Sequence, residues 1–126
     1  KDIESARQFY DAALKPLGIT AVMEVKPEES GGYHGIGYWT GRKPFFWLSN
    51  NSRHAIPDGP RARGIRIAFE AESRAAVDAF YVAAVAQGGQ DNGPPGIRPH
   101  YHSAYYAAFV IDTDGVNVEA VCQKPE

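Results

Sequence analysis

The segment Asp112-Thr113-Asp114-Gly115-Val116-Asn117-Val118-Glu119 carries the pattern that decides the fold. Its first four residues are typical of a tight turn, because Asp side chains bond to nearby backbone and glycine accepts a positive φ. Apolar runs flank the turn, around Ala104 to Ile111 and from Val116 to Cys122, and each is typical of a strand. The segment therefore predicts a hairpin whose second strand carries Glu119.

Two amphipathic helices precede this hairpin. Ser5 and Gln8 form a capping-box pattern, and the helix that it predicts should end near Leu14, because Pro16 removes a backbone donor and Gly18 favours a stop. A second helix should begin after Ser73 and end at Gly88-Gly89. Strands are predicted at residues 19–25, 36–40, 45–49 and 65–71, with a polar connector at 50–64 and a long loop through 91–96.

The two halves of the chain can be superposed as a repeat. Residues 9–14 match residues 80–85, and the same offset places Gly18 on Gly89 and the turn 41–44 on the turn 112–115. Aligned turns are harder to explain by chance than aligned apolar helices. Each half is interpreted as one strand-helix-three-strand unit, roughly 1–50 and 64–123 of a single domain. The repeat also predicts a strand before Lys1 that this chain lacks.

Composition narrows the classes of function. The chain has 126 residues, 44% of them hydrophobic, which suits one domain with one main core. The net charge of −2 comes without a basic stripe, which argues against nucleic acid as a partner. Cys122 is the only cysteine, which favours a reducing cytoplasmic location over a disulfide scaffold. No apolar run approaches bilayer length, so no membrane partner is expected.

Several motifs resemble the glyoxalase / bleomycin-resistance / extradiol-dioxygenase (vicinal oxygen chelate) superfamily. They are the Ser-x-x-x-Phe-Tyr helix start at residues 5–10, the strand at 64–69 and the closing segment at 112–119. The resemblance implies an α+β fold of two pseudo-repeated βαβββ units, with curled mixed sheets around a cavity and the first strand missing here. It also implies a small-molecule ligand, a homodimer, and a divalent metal held by two His and two Glu.

Carried over residue by residue, the metal ligands of that family are only partly present. Glu119 matches one Glu, whereas Arg66 stands where relatives often carry His, and a guanidinium cannot coordinate a cation. The other Glu would fall within Phe45–Leu48, which has no acid, and the other His on the missing strand. We therefore expect no cofactor, or Fe, Mn, Ni or Zn if the site is competent, and an ion pair between Arg66 and Glu119. Such a pair suits either an anionic ligand or a purely structural role.

Further candidates surround this pair. His100 and His102 have a spacing that would place both imidazoles on one strand face, giving with Glu119 a two-histidine, one-carboxylate metal site. Surface histidines are the simpler interpretation. Trp47, His102, Tyr105 and Arg98 are predicted to line the ligand pocket, Arg98 by clamping an anion.

Two functions from different classes follow from the resemblance. One is a lyase-, isomerase- or dioxygenase-like enzyme that acts on a small oxygenated metabolite through Glu119 and Arg66. The other is a metal-independent, resistance-type protein that sequesters a small molecule. A structural or interaction module also remains open, because a fold alone does not fix a function.

Overall fold

A computed structural model describes residues 3–40, 45–49 and 66–126. The helices are α1 (Ile3–Leu14), the short α2 (Pro27–Ser30) and α3 (Arg74–Ala86), and a 3-10 turn (Lys15–Leu17) follows α1. The strands are β1 (Thr20–Val25), β2 (Gly35–Trp39), β3 (Phe46–Ser49), β4 (Arg66–Glu70), β5 (Gln90–Asp91), β6 (Gly96–Ile97), β7 (Tyr106–Ile111) and β8 (Asn117–Cys122).

The predicted end of the first helix is confirmed, and its predicted beginning is wrong. α1 ends at Leu14, Pro16 lies in the 3-10 turn that begins at Lys15, and Gly18 follows at φ +75°, a conformation that glycine adopts without strain. The helix already includes Ile3, so Ser5 lies inside it and does not cap it. A capping pattern within an amphipathic segment does not fix the start when the apolar stripe extends further back.

Both boundaries of α3 follow local chemistry. The Ser73 hydroxyl accepts a hydrogen bond from the Ala76 amide at 3.1 Å, as predicted for its cap, and Gly88 follows the helix at φ +94°. The sequence did not predict the short helix α2 or the two-residue strands β5 and β6. All three lie in polar or glycine- and proline-rich segments that lack a periodic apolar pattern.

The strands form two sheets. One sheet has the order β1-β2-β3 and is antiparallel, while the other has the order β4-β8-β7-β5, with β6 also paired to β7. In the second sheet β4 runs parallel to β8 and β7 runs antiparallel to it, so the sheet is mixed. The predicted α+β class is confirmed. The repeat stays a prediction, since the turn at 41–44 and the connector at 50–64 lie outside the described residues.

One main core joins α1 and α3 to one face of each sheet. Its fully buried members include Phe9 of α1, Tyr38 of β2, Phe80 of α3 and Val118 of β8. Side chains alternate along a strand, so burying Val118, Ala120 and Cys122 sends the residues between them to the opposite face. That opposite face carries the candidate site. None of the helices in the described ranges is long and apolar enough to cross a bilayer.

Candidate functional site

The pairing register of the second sheet brings the candidate residues together. Glu119 of β8 lies beside Ala68 of β4 on one side and beside Phe109 of β7 on the other. Arg66 is two residues before Ala68, so it emerges on the same face as Glu119, within the reach of a long side chain. Strand alternation therefore places Arg66, Glu119 and Phe109 on the sheet face that points away from the main core.

A turn at residues 98–105 lies over this face. The Arg98 amide donates to the Tyr105 carbonyl at 2.7 Å, and the Tyr105 amide donates to the His102 carbonyl at 3.2 Å, which folds the turn on itself. Tyr105 packs against a second apolar cluster formed by Ala107, Phe109 and Val121. Its ring also contacts that of Tyr101 in a tilted arrangement, with centroids 4.7 Å apart. The turn thereby shields the middle of the sheet from water.

The predicted ion pair is confirmed. Arg66 Nε lies 2.8 Å from Glu119 Oε1, and the Glu119 side chain is 0% exposed while that of Arg66 is 36% exposed. The guanidinium carbon also lies 5.0 Å from the Phe109 ring centre and 5.9 Å from that of Tyr101. Such distances permit cation–π attraction. Arg66 is thus held by one carboxylate and two aromatic rings.

The two oxygens of Glu119 have different partners. Oε2 accepts a hydrogen bond from the Tyr105 hydroxyl. Oε1 is buried and close to Arg66 Nε, yet the contact is not aligned as a hydrogen bond, and no other hydrogen-bond donor meets Oε1 among the described residues. An unaligned contact is weaker than a hydrogen bond. Oε1 therefore keeps unused acceptor capacity at a position that solvent does not reach.

The Tyr105 phenol should make the stability of the protein sensitive to alkaline pH. Burial and the hydrogen bond to Glu119 raise the pKa of Tyr105 to about 12. A phenol with a higher pKa in the folded state contributes stability that is present below its unfolded pKa of about 10 and lost as pH rises to about 12. We expect Tyr105→Phe to flatten this alkaline loss in urea denaturation, and an unchanged pH profile would contradict the role assigned to Tyr105.

The Arg98 side chain packs against the loop at residues 93–96. Its Nη2 donates to the Pro94 carbonyl at 2.6 Å, and its guanidinium carbon lies 5.3 Å from the Phe109 ring centre. A Cβ added to Gly93 would approach Nη2 at 3.3 Å, and one added to Gly96 would approach Nη1 at 3.0 Å. The absence of side chains at Gly93 and Gly96 therefore provides the space that the Arg98 guanidinium occupies. Arg66 and Arg98 both contact the ring of Phe109.

The two histidines do not lie on a strand. β7 begins at Tyr106, and both His100 and His102 are exposed in the preceding turn, so the predicted strand-face arrangement is wrong. The cause is local: His102 Nδ1 accepts from the Ala104 amide at 3.1 Å, which favours a turn over an extended chain. His102 Nε2 lies 3.1 Å from Gln123 Oε1.

The divalent metal that the resemblance implies does not fit the residues that the structure describes. No three His, Cys, Asp or Glu side chains form a metal-binding group within the described ranges, so the two-histidine, one-carboxylate site is not formed among them. Glu119 instead meets a guanidinium, which carries only donors and is permanently charged.

Two other predictions concern the pocket. Trp47 lies in β3 of the other sheet, opposite Gly37, and is 41% exposed. A cavity of about 490 Å³ is bordered by Ile19, Phe45 and Ala68, and its lining does not include Arg66 or Glu119. Ligand-binding roles stay predictions for Trp47, His102, Tyr105 and Arg98.

Sequence reasoning missed Phe109, although its position opposite Glu119 follows once the hairpin register is known.

Comparison with known proteins supports the resemblance. No family model matches the chain, and no curated protein sequence matches it. Among solved structures, a glyoxalase/bleomycin resistance protein from Albidiferax ferrireducens T118 is 28% identical, with a TM-score of 0.71, covering 97% of this chain and 91% of that one.

Two more distant structures show the same fold. A glyoxalase-related enzyme from Fulvimarina pelagi is 22% identical, with a TM-score of 0.66 and 96% and 80% coverage of this chain and that one. The V278E glyoxalase I mutant from Zea mays is 20% identical, with a TM-score of 0.69, and the match covers 97% of this chain but only 42% of that one. The resemblance to the glyoxalase / bleomycin-resistance / dioxygenase superfamily is therefore confirmed.

Proposed function

We propose that the protein binds a small oxygenated metabolite on the sheet face around Arg66 and Glu119 without a metal ion. The observation that carries this proposal is the 2.8 Å approach of Arg66 Nε to the fully buried Glu119 carboxylate. A buried carboxylate requires a compensating positive charge, and here a side chain supplies the charge that a divalent ion would otherwise supply. The site is a degenerate form of the metal centre that the resemblance implies.

This exchange changes the chemistry that the site can perform. A divalent ion polarises substrate oxygens as a Lewis acid, whereas a guanidinium only donates hydrogen bonds and presents a fixed charge. A site with Arg66 in place of the metal ion is therefore better suited to recognising oxygen atoms than to Lewis-acid catalysis. The proposal accordingly favours a resistance-type protein that sequesters its ligand, and a homodimer is part of the same proposal.

The enzymatic alternative rests on the hydrogen bond between Tyr105 and Glu119. A phenol that donates a hydrogen bond to a buried carboxylate can act with it as an acid–base pair toward a bound substrate. In that case Glu119 and Arg66 would be catalytic, in a lyase-, isomerase- or dioxygenase-like reaction. Conversion of a bound compound, lost in Tyr105→Phe while binding is retained, would favour the enzyme over the sequestering protein.

Metal content tests the proposal directly. After incubation with Fe(II), Mn(II), Ni(II) or Zn(II) and desalting, elemental analysis of the full-length protein should find far less than one ion per chain. The physical reason is repulsion between the Arg66 guanidinium and a cation at Glu119. One tightly held ion per chain that disappears in Glu119→Gln would overturn the metal-free proposal.

Ligand binding tests the location of the site. Small hydroxy-, keto- and carboxy-compounds should shift backbone amide resonances of β4, β7 and β8 in nuclear magnetic resonance spectra. Shifts confined to the other sheet, around Trp47, would place the site elsewhere. Leu48, which faces the main core from the other sheet, offers an internal reference.

A further inference from the structure

The ligand's charge can be inferred from how Arg98 is held. Its guanidinium lies between the Gly93–Gly96 backbone and the Phe109 ring, and Nη2 donates to the Pro94 carbonyl at 2.6 Å. A Cβ at Gly93 would also come within 2.9 Å of the Phe109 ring, so this packing requires the glycine. An arginine fixed in this way loses little further conformational entropy when a ligand binds.

The charges around Phe109 do not balance. Two guanidinium groups, those of Arg66 and Arg98, lie 5.0 and 5.3 Å from its ring centre. Within the described part of the chain, Glu119 is the one carboxylate in ion-pair contact with either of them. Arg66 is therefore neutralised and Arg98 is not. One net positive charge remains beside an apolar surface, where a charge attracts a counterion more strongly than in bulk water.

One exposed aromatic ring belongs to the same cluster of side chains as this charge. Tyr101 is 47% exposed, and its ring centre lies 5.9 Å from the guanidinium carbon of Arg66, which contacts the same Phe109 ring as Arg98 does. An exposed aromatic ring in the same cluster as a positioned cation suits a ligand with one planar apolar part and one anionic end.

We propose that this face selects a small planar organic monocarboxylate, whose carboxylate pairs with Arg98 and whose ring lies against Tyr101. A carboxylate matches the forked donors of a guanidinium, and a single negative charge balances the cluster. This inference rests on the proposed function, since it names the ligand class of the same site. It assigns to Arg98 the positive charge that discriminates between ligands, while Arg66 stays engaged with Glu119.

Three probes that differ only in charge test this inference on the full chain. We expect 4-hydroxybenzoate to bind about tenfold more tightly than the neutral 4-hydroxybenzamide, with 4-hydroxybenzylamine weaker still, in titration calorimetry. Arg98→Met should remove the preference for the carboxylate, and Arg98→Lys should retain part of it. Lys15→Met removes an exposed positive charge from the 3-10 turn after α1 and should leave the preference unchanged.

The outcomes separate the two proposals. Equal binding of all three probes, or a carboxylate preference that survives in Arg98→Met, would overturn the assignment to Arg98 while leaving a binding site on this face. Failure of every probe to bind would overturn the monocarboxylate class. If Arg98→Met does not fold, Gly93→Ala provides a second test, because it should displace the guanidinium and weaken the same preference.

Discussion

Replacing Arg66 with methionine is expected to lower the free energy of unfolding by about 2 kcal/mol, because it leaves the fully buried Glu119 carboxylate without its cation. The loss should be smaller than for a completely buried pair, since the Arg66 side chain is partly exposed and water screens it. Methionine preserves much of the apolar stem, so the loss should report charge more than packing. Urea denaturation at neutral pH measures the change.

Variants of Glu119, the ion-pair partner of Arg66, test this prediction further. Glu119→Met should cost less than Arg66→Met, because the partly exposed guanidinium that remains can be hydrated. The double variant should be more stable than Arg66→Met alone, since no buried charge is left unpaired. Lys124→Met is the matched control: its ammonium lies 2.7 Å from Glu72, but both side chains are exposed, and no measurable change is expected. Equal effects in Arg66→Met and Lys124→Met would contradict this account.

Replacing Gly89 with alanine is expected to destabilise the protein by about 3 kcal/mol. An added Cβ would lie 2.5 Å from Val110 Cγ1, 2.7 Å from the Ala84 carbonyl oxygen and 2.8 Å from Phe9 Cε1. The carbonyl cannot retreat easily, because it accepts the Gly89 amide at 2.9 Å. The clash would therefore push α1, α3 and β7 apart where they meet. Calorimetric or urea unfolding measures the loss.

Gly18 supplies the control for this substitution. It has φ +75°, and no heavy atom lies within 4 Å of a Cβ built there, so alanine should cost only about 1 kcal/mol of backbone strain. A Gly89→Ala variant as stable as Gly18→Ala would show that the core at Gly89 adapts to the added methyl group. Gly88 instead shares the positive φ of Gly18. The alignment that matched Gly18 with Gly89 thus pairs glycines that are needed for different physical reasons.

The ends of the helices and most strands could be predicted because they depend on neighbouring residues. Pro16 and Gly18 stop α1 through a missing donor and a permitted φ, and Ser73 caps α3 through one hydrogen bond. The turn at Asp112 is similarly local: Asp112 Oδ1 accepts from the amides of Asp114 and Val116, both at 2.8 Å. The predicted helix start at Ser5 was misplaced because the capping pattern there lies within a longer amphipathic segment.

The sequence by itself determined the α+β elements and the presence of Arg66 and Glu119, since periodicity and motif spacing are properties of the chain. Only the tertiary structure decided that Phe109 and the Gly93–Gly96 loop hold two guanidinium groups, and that His100 and His102 lie in a turn. The reason is that these contacts depend on strand register and on the path of the turn across the sheet. A shift of one residue in that register would send Glu119 to the opposite face, which no local pattern reveals.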